Sequence, residues 1–336
     1  MLTALLVAVL LCAAIFAFLN GFRDASSAVA LSVRTRALTP TIAVLLAGLF
    51  NFLGALLSVE IAEALRDRLF TVPSGNDGLI LLLAALASAC LWGVYQWWRG
   101  YPSSSTHALI GGLVGASLAS AFIGRPPLQG IDSTLLALVV LPLLLSPVLA
   151  YVLSFAAVYP AVWTARNTAP HQVNRRTRQI QSVTSAAVAF GHGLQDGQRT
   201  TTVVLLALLA AGLSSGYEAP LWVTLFTAVM LTAGTLLGGW RISYTLGHRL
   251  VRVDPMRGFV AQMVSAVLLF VGAIGLNLPL STTHTVTAAT VGAGQNQQFS
   301  VTNGRLLMRV VGAWVATPIA SALLGGVFLL ALAPLA

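Results

Sequence analysis

Long apolar stretches run through this chain from end to end, and its polar residues fall in short clusters between and within them. Stretches near the roughly 20 apolar residues needed to cross a bilayer recur along the whole length. They lie at 3–32, 40–60, 79–98, 105–123 and 134–163, then 182–213, 219–240, 258–277, 283–303 and 309–334. The pattern predicts an all-α polytopic membrane protein of about ten transmembrane helices; a β-barrel would show weak alternation in place of long apolar runs. The first and sixth stretches are long and are expected to be interrupted by polar residues, near Asp24 and near Asp196. Residues 1–19 have no basic lead and continue past Asp24 into more apolar sequence, so they read as a retained first helix and not a cleaved leader.

Composition agrees with a membrane-embedded chain. It is 57% hydrophobic and 8% charged, with mean hydropathy +0.87, whereas a soluble domain has roughly a quarter of its residues charged. Cys12 and Cys90 sit in apolar stretches without paired spacing and read as core thiols. The net charge is +9, and all 18 basic residues are arginine. These arginines lie in short loops, where topology accounts for them, so nucleic-acid binding is rejected.

Loop charge sets the sides. The stretch 164–181 carries Arg166, Arg175, Arg176 and Arg178 without an acid, and 241–257 carries Arg241, Arg249, Arg252 and Arg257 against Asp254. The positive-inside rule makes both cytoplasmic, with Arg34, Arg36 and, more weakly, Arg99 on the same side. The loops of mixed charge, 60–78 and 124–133, go outside, as does the Glu218 loop. Five crossings per half invert the second half relative to the first and leave both termini outside. The expected organisation is therefore a first inverted repeat at 1–163, a basic cytoplasmic linker at 164–181 and a second inverted repeat at 182–336, with discontinuous or re-entrant helices at the centre.

Two short segments recur 172 to 177 residues apart. Asn20-Gly21-Phe22-Arg23-Asp24 matches His192-Gly193-Leu194-Gln195-Asp196, and PSSSTHALIGGLVGA (Pro102 to Ala116) matches PLSTTHTVTAATVGA (Pro279 to Ala293). A duplicated, polar, glycine-punctuated element in an apolar chain is the mark of a transporter built from related halves. A carboxylate at membrane depth costs roughly 2.5–3.5 kcal/mol, so Asp24 and Asp196 must pair, take up a proton or line a wet cavity. They are natural ligands for a coupling cation; the alternative is an internal salt bridge to Arg23 or Arg199, the latter at i+3 from Asp196.

Hydroxyls following Pro102 and Pro279 have the chemistry of a helix start, which presents unpaired N–H groups and a positive dipole to an anion. Two such starts facing the midplane would hold a tetrahedral oxyanion; the alternative is ordinary capping and interhelical hydroxyl contacts. His107 and His284 follow in register, to donate to the anion, relay protons or orient the hydroxyls from behind, the last being preferred, and His192 is similarly placed beside the second acid. Gly21, Gly191, Gly193 and Gly197 are expected to let the helices unwind beside the acids, and Gly111, Gly112, Gly115 and Gly292 to allow close helix packing. His171 and His248 read as solvated.

NGFRDASSAVALSVRTRAL and FGHGLQDGQRTT resemble the two signatures of the inorganic phosphate transporter (PiT) family in its bacterial form, and the two Ser/Thr-His segments resemble that family's own. The resemblance covers essentially the whole chain. It implies inverted repeats, outside termini and phosphate import by cation symport. It also implies that Asp24 and Asp196 bind the coupling cation, with Asn20, Ser27 and Gln195 around them. Phosphate contacts fall to Ser104, Ser105, Thr106, Ser281, Thr282 and Thr283, with Gln198 at the site and Arg199 where bacterial members usually carry Lys. Ser27 and Gln195 stand where the family usually has Asn, and Arg23 replaces a common His. These swaps keep a proton-coupled or metal-phosphate mechanism open beside sodium.

The leading expectation is a secondary transporter importing inorganic phosphate with sodium or a proton by alternating access, embedded in lipid and compatible with a homo-oligomer. The alternative on the same scaffold is a sulfate or other oxyanion permease. An intramembrane Ser-His-Asp hydrolase is disfavoured, since the Ser and His come in twin copies. A channel would differ in following its ion's gradient at high flux without saturating. No GxxxxGK[ST] motif is present, no cofactor or separate metal site is implied, and the energy is expected from an ion gradient.

Overall fold

The computed structural model describes residues 1–58, 71–128, 139–214, 219–297 and 302–335, and the regular elements among them are helices. In chain order these are α1 (Leu2–Arg34), α2 (Pro40–Leu56), α3 (Asn76–Arg99), α4 (Ser105–Phe122) and α5 (Leu141–Ala165). There follow α6 (Pro170–Ala210), α7 (Leu221–Leu237), α8 (Trp240–Tyr244, continued by a π-turn Thr245–Leu250), α9 (Pro255–Phe270, continued by Val271–Gly275), α10 (Thr282–Gln295) and α11 (Gly304–Leu332). The loop residues Glu60, Glu63, Arg66, Arg68, Asp67, Asp132 and Glu218, and parts of the expected spans 40–60, 134–163 and 283–303, lie outside the described residues.

Among the described residues, six helices (α1, α3, α4, α5, α9 and α11) are long and apolar enough to cross a membrane, and the α7–α8 pair, bent by 57°, makes a seventh if it is one span. The expected count of about ten is therefore reached only if less apolar elements also cross. Polar residues keep the 41-residue α6 out of the count, and α2 has 17 residues. With 14 residues, α10 is ~21 Å long, short of the ~30 Å hydrocarbon layer. The basic segment 164–181 is mostly helical, because α6 already begins at Pro170. Cys12 and Cys90 are free thiols packed against the largest apolar core.

The expected interruptions beside the acids do not occur. Helix α1 runs unbroken through Asp24, and α6 runs unbroken through Asp196. The flanking glycines serve helix crossings instead. A Cβ on Gly21 would lie 1.9 Å from Leu231 O, and one on Gly234 1.9 Å from Phe18 O, so α1 and α7 meet backbone to backbone. A Cβ on Gly193 would lie 2.3 Å from Asn51 O, and one on Gly54 2.2 Å from Phe190 O, the same device between α6 and α2. The other glycine group does what was expected of it, with Gly115 against Ala322 O on α11 and Gly292 against Tyr151 O on α5. The halves thus exchange partners in matching fashion: α1 lies on α7 as α6 lies on α2, and α4 lies on α11 as α10 lies on α5.

Candidate functional site

Each Ser/Thr-His segment begins a helix. Ser104 and Ser281 have extended backbone, φ −80° and −83°, and each caps its helix through its hydroxyl. Ser104 Oγ accepts from His107 N at 3.3 Å and Ser281 Oγ from His284 N at 3.2 Å. These two hydroxyls are spent on capping, worth ~1 kcal/mol each. The next two residues of each run, Ser105 and Thr106 on α4, Thr282 and Thr283 on α10, stand in the first turn, where backbone N–H groups have no intrahelical acceptor.

Both starts meet the acids. Thr283 Oγ1 donates to Asp24 Oδ1 at 2.8 Å, tying the acid of the first half to the helix start of the second. Ser105 Oγ lies 3.5 Å from Asp24 Oδ2 and 3.5 Å from Asp196 Oδ2, one hydroxyl serving two carboxylates. Asp24 is 2% exposed and Asp196 1%. Thr106 Oγ1 and Thr282 Oγ1 are buried without a partner, as are Asn20 Nδ2 and Ser27 Oγ on α1. Asn20 and Ser27 flank Asp24 at i−4 and i+3, on the same helix face.

Buried guanidinium groups brace the arrangement. Arg199 pairs with Asp196 and donates to Leu280 O at 2.5 Å. Arg23 pairs with neither acid. It donates to Ser103 O at 2.7 Å and Ser103 Oγ at 2.9 Å. Ser103 and Leu280 are equivalent residues, each immediately before its cap, so each helix start is held by one arginine. The arginines themselves are not equivalent, since Arg23 aligns with Gln195 and Arg199 with Ser27.

Gln195, expected among the cation ligands, is turned towards the approach to α10. Its Oε1 accepts from Leu280 N at 3.1 Å, and its Nε2 donates to Leu278 O at 3.4 Å. Gln198 donates to Gln195 at 3.4 Å and keeps its own Oε1 buried without a partner.

His192 joins the acids: Nε2 is 3.3 Å from Asp196 Oδ2, and Nδ1 is 2.8 Å from Asn51 Oδ1. Asn51 in turn donates to Thr235 Oγ1 at 2.7 Å. Sequence reasoning passed over Asn51, although a lone amide in the apolar run of α2 was a signal in itself, because polar groups at membrane depth need a partner. Replacing Asn51 by Leu leaves His192 Nδ1 unpaired, and the expected cost is about 1–3 kcal/mol. The check is the unfolding temperature of the purified protein in detergent; an unchanged value would show that Asn51 does not hold the ring.

The rings of His107 and His284 do not reach the hydroxyls. They face each other at 4.7 Å between centroids, and His284 also stacks on Trp314 at 4.1 Å. With Tyr151 and Thr287 they line a cavity of about 810 Å³ between α5 and α11. The orienting role expected of the imidazoles is filled by their backbone N–H groups.

Asp24, His192 and Asp196 each offer one ligand atom, and these atoms lie within 4.8 Å of one another, a set able to hold a cation. Beside it stand two helix starts with unused donors, the chemistry that binds an anion. The hydroxyls of Thr283 and Ser105 link the two.

Residues 20–325 match the model of the phosphate transporter family. A probable low-affinity inorganic phosphate transporter of Bacillus subtilis is 33% identical over 326 residues, covering 96% of each chain. One from Rhizobium meliloti is 37% identical, covering 95% of this chain and 94% of its own. A solved structure described as the sodium-dependent phosphate transporter shares the fold, with a TM-score of 0.81 over 99% of this chain and 100% of its own, at 21% identity.

Proposed function

The chain belongs to the phosphate transporter family, and on that basis we propose that it imports inorganic phosphate by cation-coupled symport with alternating access of two inverted repeats. The observation that carries this reading is the hydrogen bond from Thr283 to Asp24, which joins an acid of one half to a helix start of the other. The cation binds among Asp24, His192 and Asp196, with Asn20 and Ser27 on the adjoining face of α1. Phosphate binds at the starts of α4 and α10, through their amides and the hydroxyls of Ser105, Thr106, Thr282 and Thr283. Ser104 and Ser281 cap the two helices, Gln198 lies alongside, and Arg199 neutralises Asp196 while bracing α10.

Ion coupling follows from the shared hydroxyls. The carboxylates accept from Thr283 and Ser105. A cation that takes up the carboxylate oxygens releases those hydroxyls to the anion, so each ligand favours the other, and the coupling is reciprocal. Phosphate carries a proton that can be donated to a carboxylate or to Gln198; sulfate does not, which favours phosphate.

The matching order of elements and the exchanged pairing support the inverted repeat and about ten crossings, with α2, α6 and α10 completing the spans and α4 and α10 broken from what precedes them at Pro102 and Pro279. Labelled-phosphate uptake into proteoliposomes tests the reading under separate sodium and proton gradients. Expected is accumulation that one gradient drives and excess sulfate leaves intact. Uptake abolished by sulfate, or no accumulation under either gradient, would overturn it.

A further inference from the structure

Away from the acids, a second cationic site forms where α3 ends against α8. Arg99, Arg241 and Arg249 line a cavity of about 560 Å³ together with Trp98, Trp240 and Tyr244. All three arginines are exposed, and none has a carboxylate within ion-pair distance among the described residues. A helix end normally repels anions through its bare carbonyls. Here two of the carbonyls at that end are occupied: Arg241 donates to Trp98 O at 3.1 Å and Thr245 Oγ1 to Gly100 O at 2.8 Å. What remains facing the cavity is positive charge, framed by indole and phenol rings.

From this arrangement we infer a binding site for the phosphodiester headgroup of an anionic phospholipid. Three features select a lipid over free phosphate. The cavity opens at the C-terminal end of α3, a helix long and apolar enough to cross a membrane, where headgroups sit. Its rim is aromatic, with Trp98 61%, Tyr244 58% and Trp240 44% exposed, as amphipathic rings are at the membrane–water interface. The charge count puts Arg99 and the 241–257 segment on the cytoplasmic side, whose leaflet is anionic and attracts clustered arginines. Guanidinium forks match phosphate oxygens in pairs, and a diester presents two unesterified oxygens for them. The site involves none of the residues placed in transport.

The test uses the full-length protein in detergent, with native mass spectrometry and thermal unfolding, on titration with phosphatidylglycerol, phosphatidylcholine or inorganic phosphate. Phosphatidylglycerol is expected to remain as an adduct and raise the unfolding temperature, and phosphatidylcholine to do neither. In the Arg99→Gln/Arg249→Gln double variant its apparent affinity should fall roughly 30-fold. Retained phosphate uptake by the variant shows that it has folded. Equal binding of both lipids, or an undiminished adduct in the variant, would overturn the inference. So would displacement of phosphatidylglycerol by millimolar inorganic phosphate, which would make the cavity a free-anion site.

Discussion

Asp196→Asn is expected to abolish gradient-driven phosphate accumulation. The change keeps the volume and removes the charge that Arg199, His192 and Ser105 all face. Arg199 is 8% exposed, and a buried guanidinium stripped of its carboxylate costs 3–5 kcal/mol, a deficit of more than ~100-fold in the population of the working arrangement. The cation set also loses one of its two acids. Initial uptake rate in proteoliposomes reads the loss, and a companion variant separates its causes. Asp196→Asn/Arg199→Gln should regain unfolding temperature, because no buried charge is left unpaired, and should still fail to accumulate phosphate. Uptake by Asp196→Asn above a tenth of the unmodified rate would remove Asp196 from the coupling site.

The second large effect concerns assembly. Gly234→Val should prevent the folded protein from accumulating, because a Cβ there meets Phe18 O at 1.9 Å and Phe22 N at 2.8 Å. Both neighbours are backbone, so no rotamer change relieves the clash and α1 must part from α7. Overpacking a tight contact costs ~1–3 kcal/mol when side chains can adjust, and more is expected here. Gly21→Val attacks the same crossing from the other side, against Leu231 O. Gly312→Ala on α11 is the control: a Cβ there meets open space, and alanine suits a helix better by up to ~1 kcal/mol. Folded yield by fluorescence-detected size exclusion compares the three. A Gly234→Val protein that elutes normally would contradict the backbone-to-backbone crossing.

The sequence carried much of this arrangement in its duplicated motifs. The acids at membrane depth and the duplicated Ser/Thr-His segments marked the candidate residues, and the prolines marked where α4 and α10 begin. The state of the helices at the acids was not readable. A glycine in a sequence does not say whether its missing side chain is used for backbone freedom or for space, and Gly21 and Gly193 use it for space. Membrane length alone could not assign α6 or α10, since a helix lined with a polar site fails a hydropathy criterion and a broken helix fails one of length. Asn51 was hidden because it comes from a helix outside both motifs. The direction of the Gln195 amide, towards Leu278 and Leu280, was not readable, because motif register fixes where a residue starts and not the direction a long side chain takes.

The two arginine braces have an evolutionary consequence. If the halves descend from one ancestral segment, the same mechanical need, holding the carbonyl ahead of a capped helix, has been met twice by mutation at different positions. Aligning the halves by their motifs places Arg23 against Gln195 and Arg199 against Ser27 and scores both as divergence. What persisted is the load on Ser103 and Leu280, not the residue bearing it. Across descendants of this chain, position 23 should therefore covary with 102–104 and position 199 with 279–281, and neither with its own counterpart in the other half.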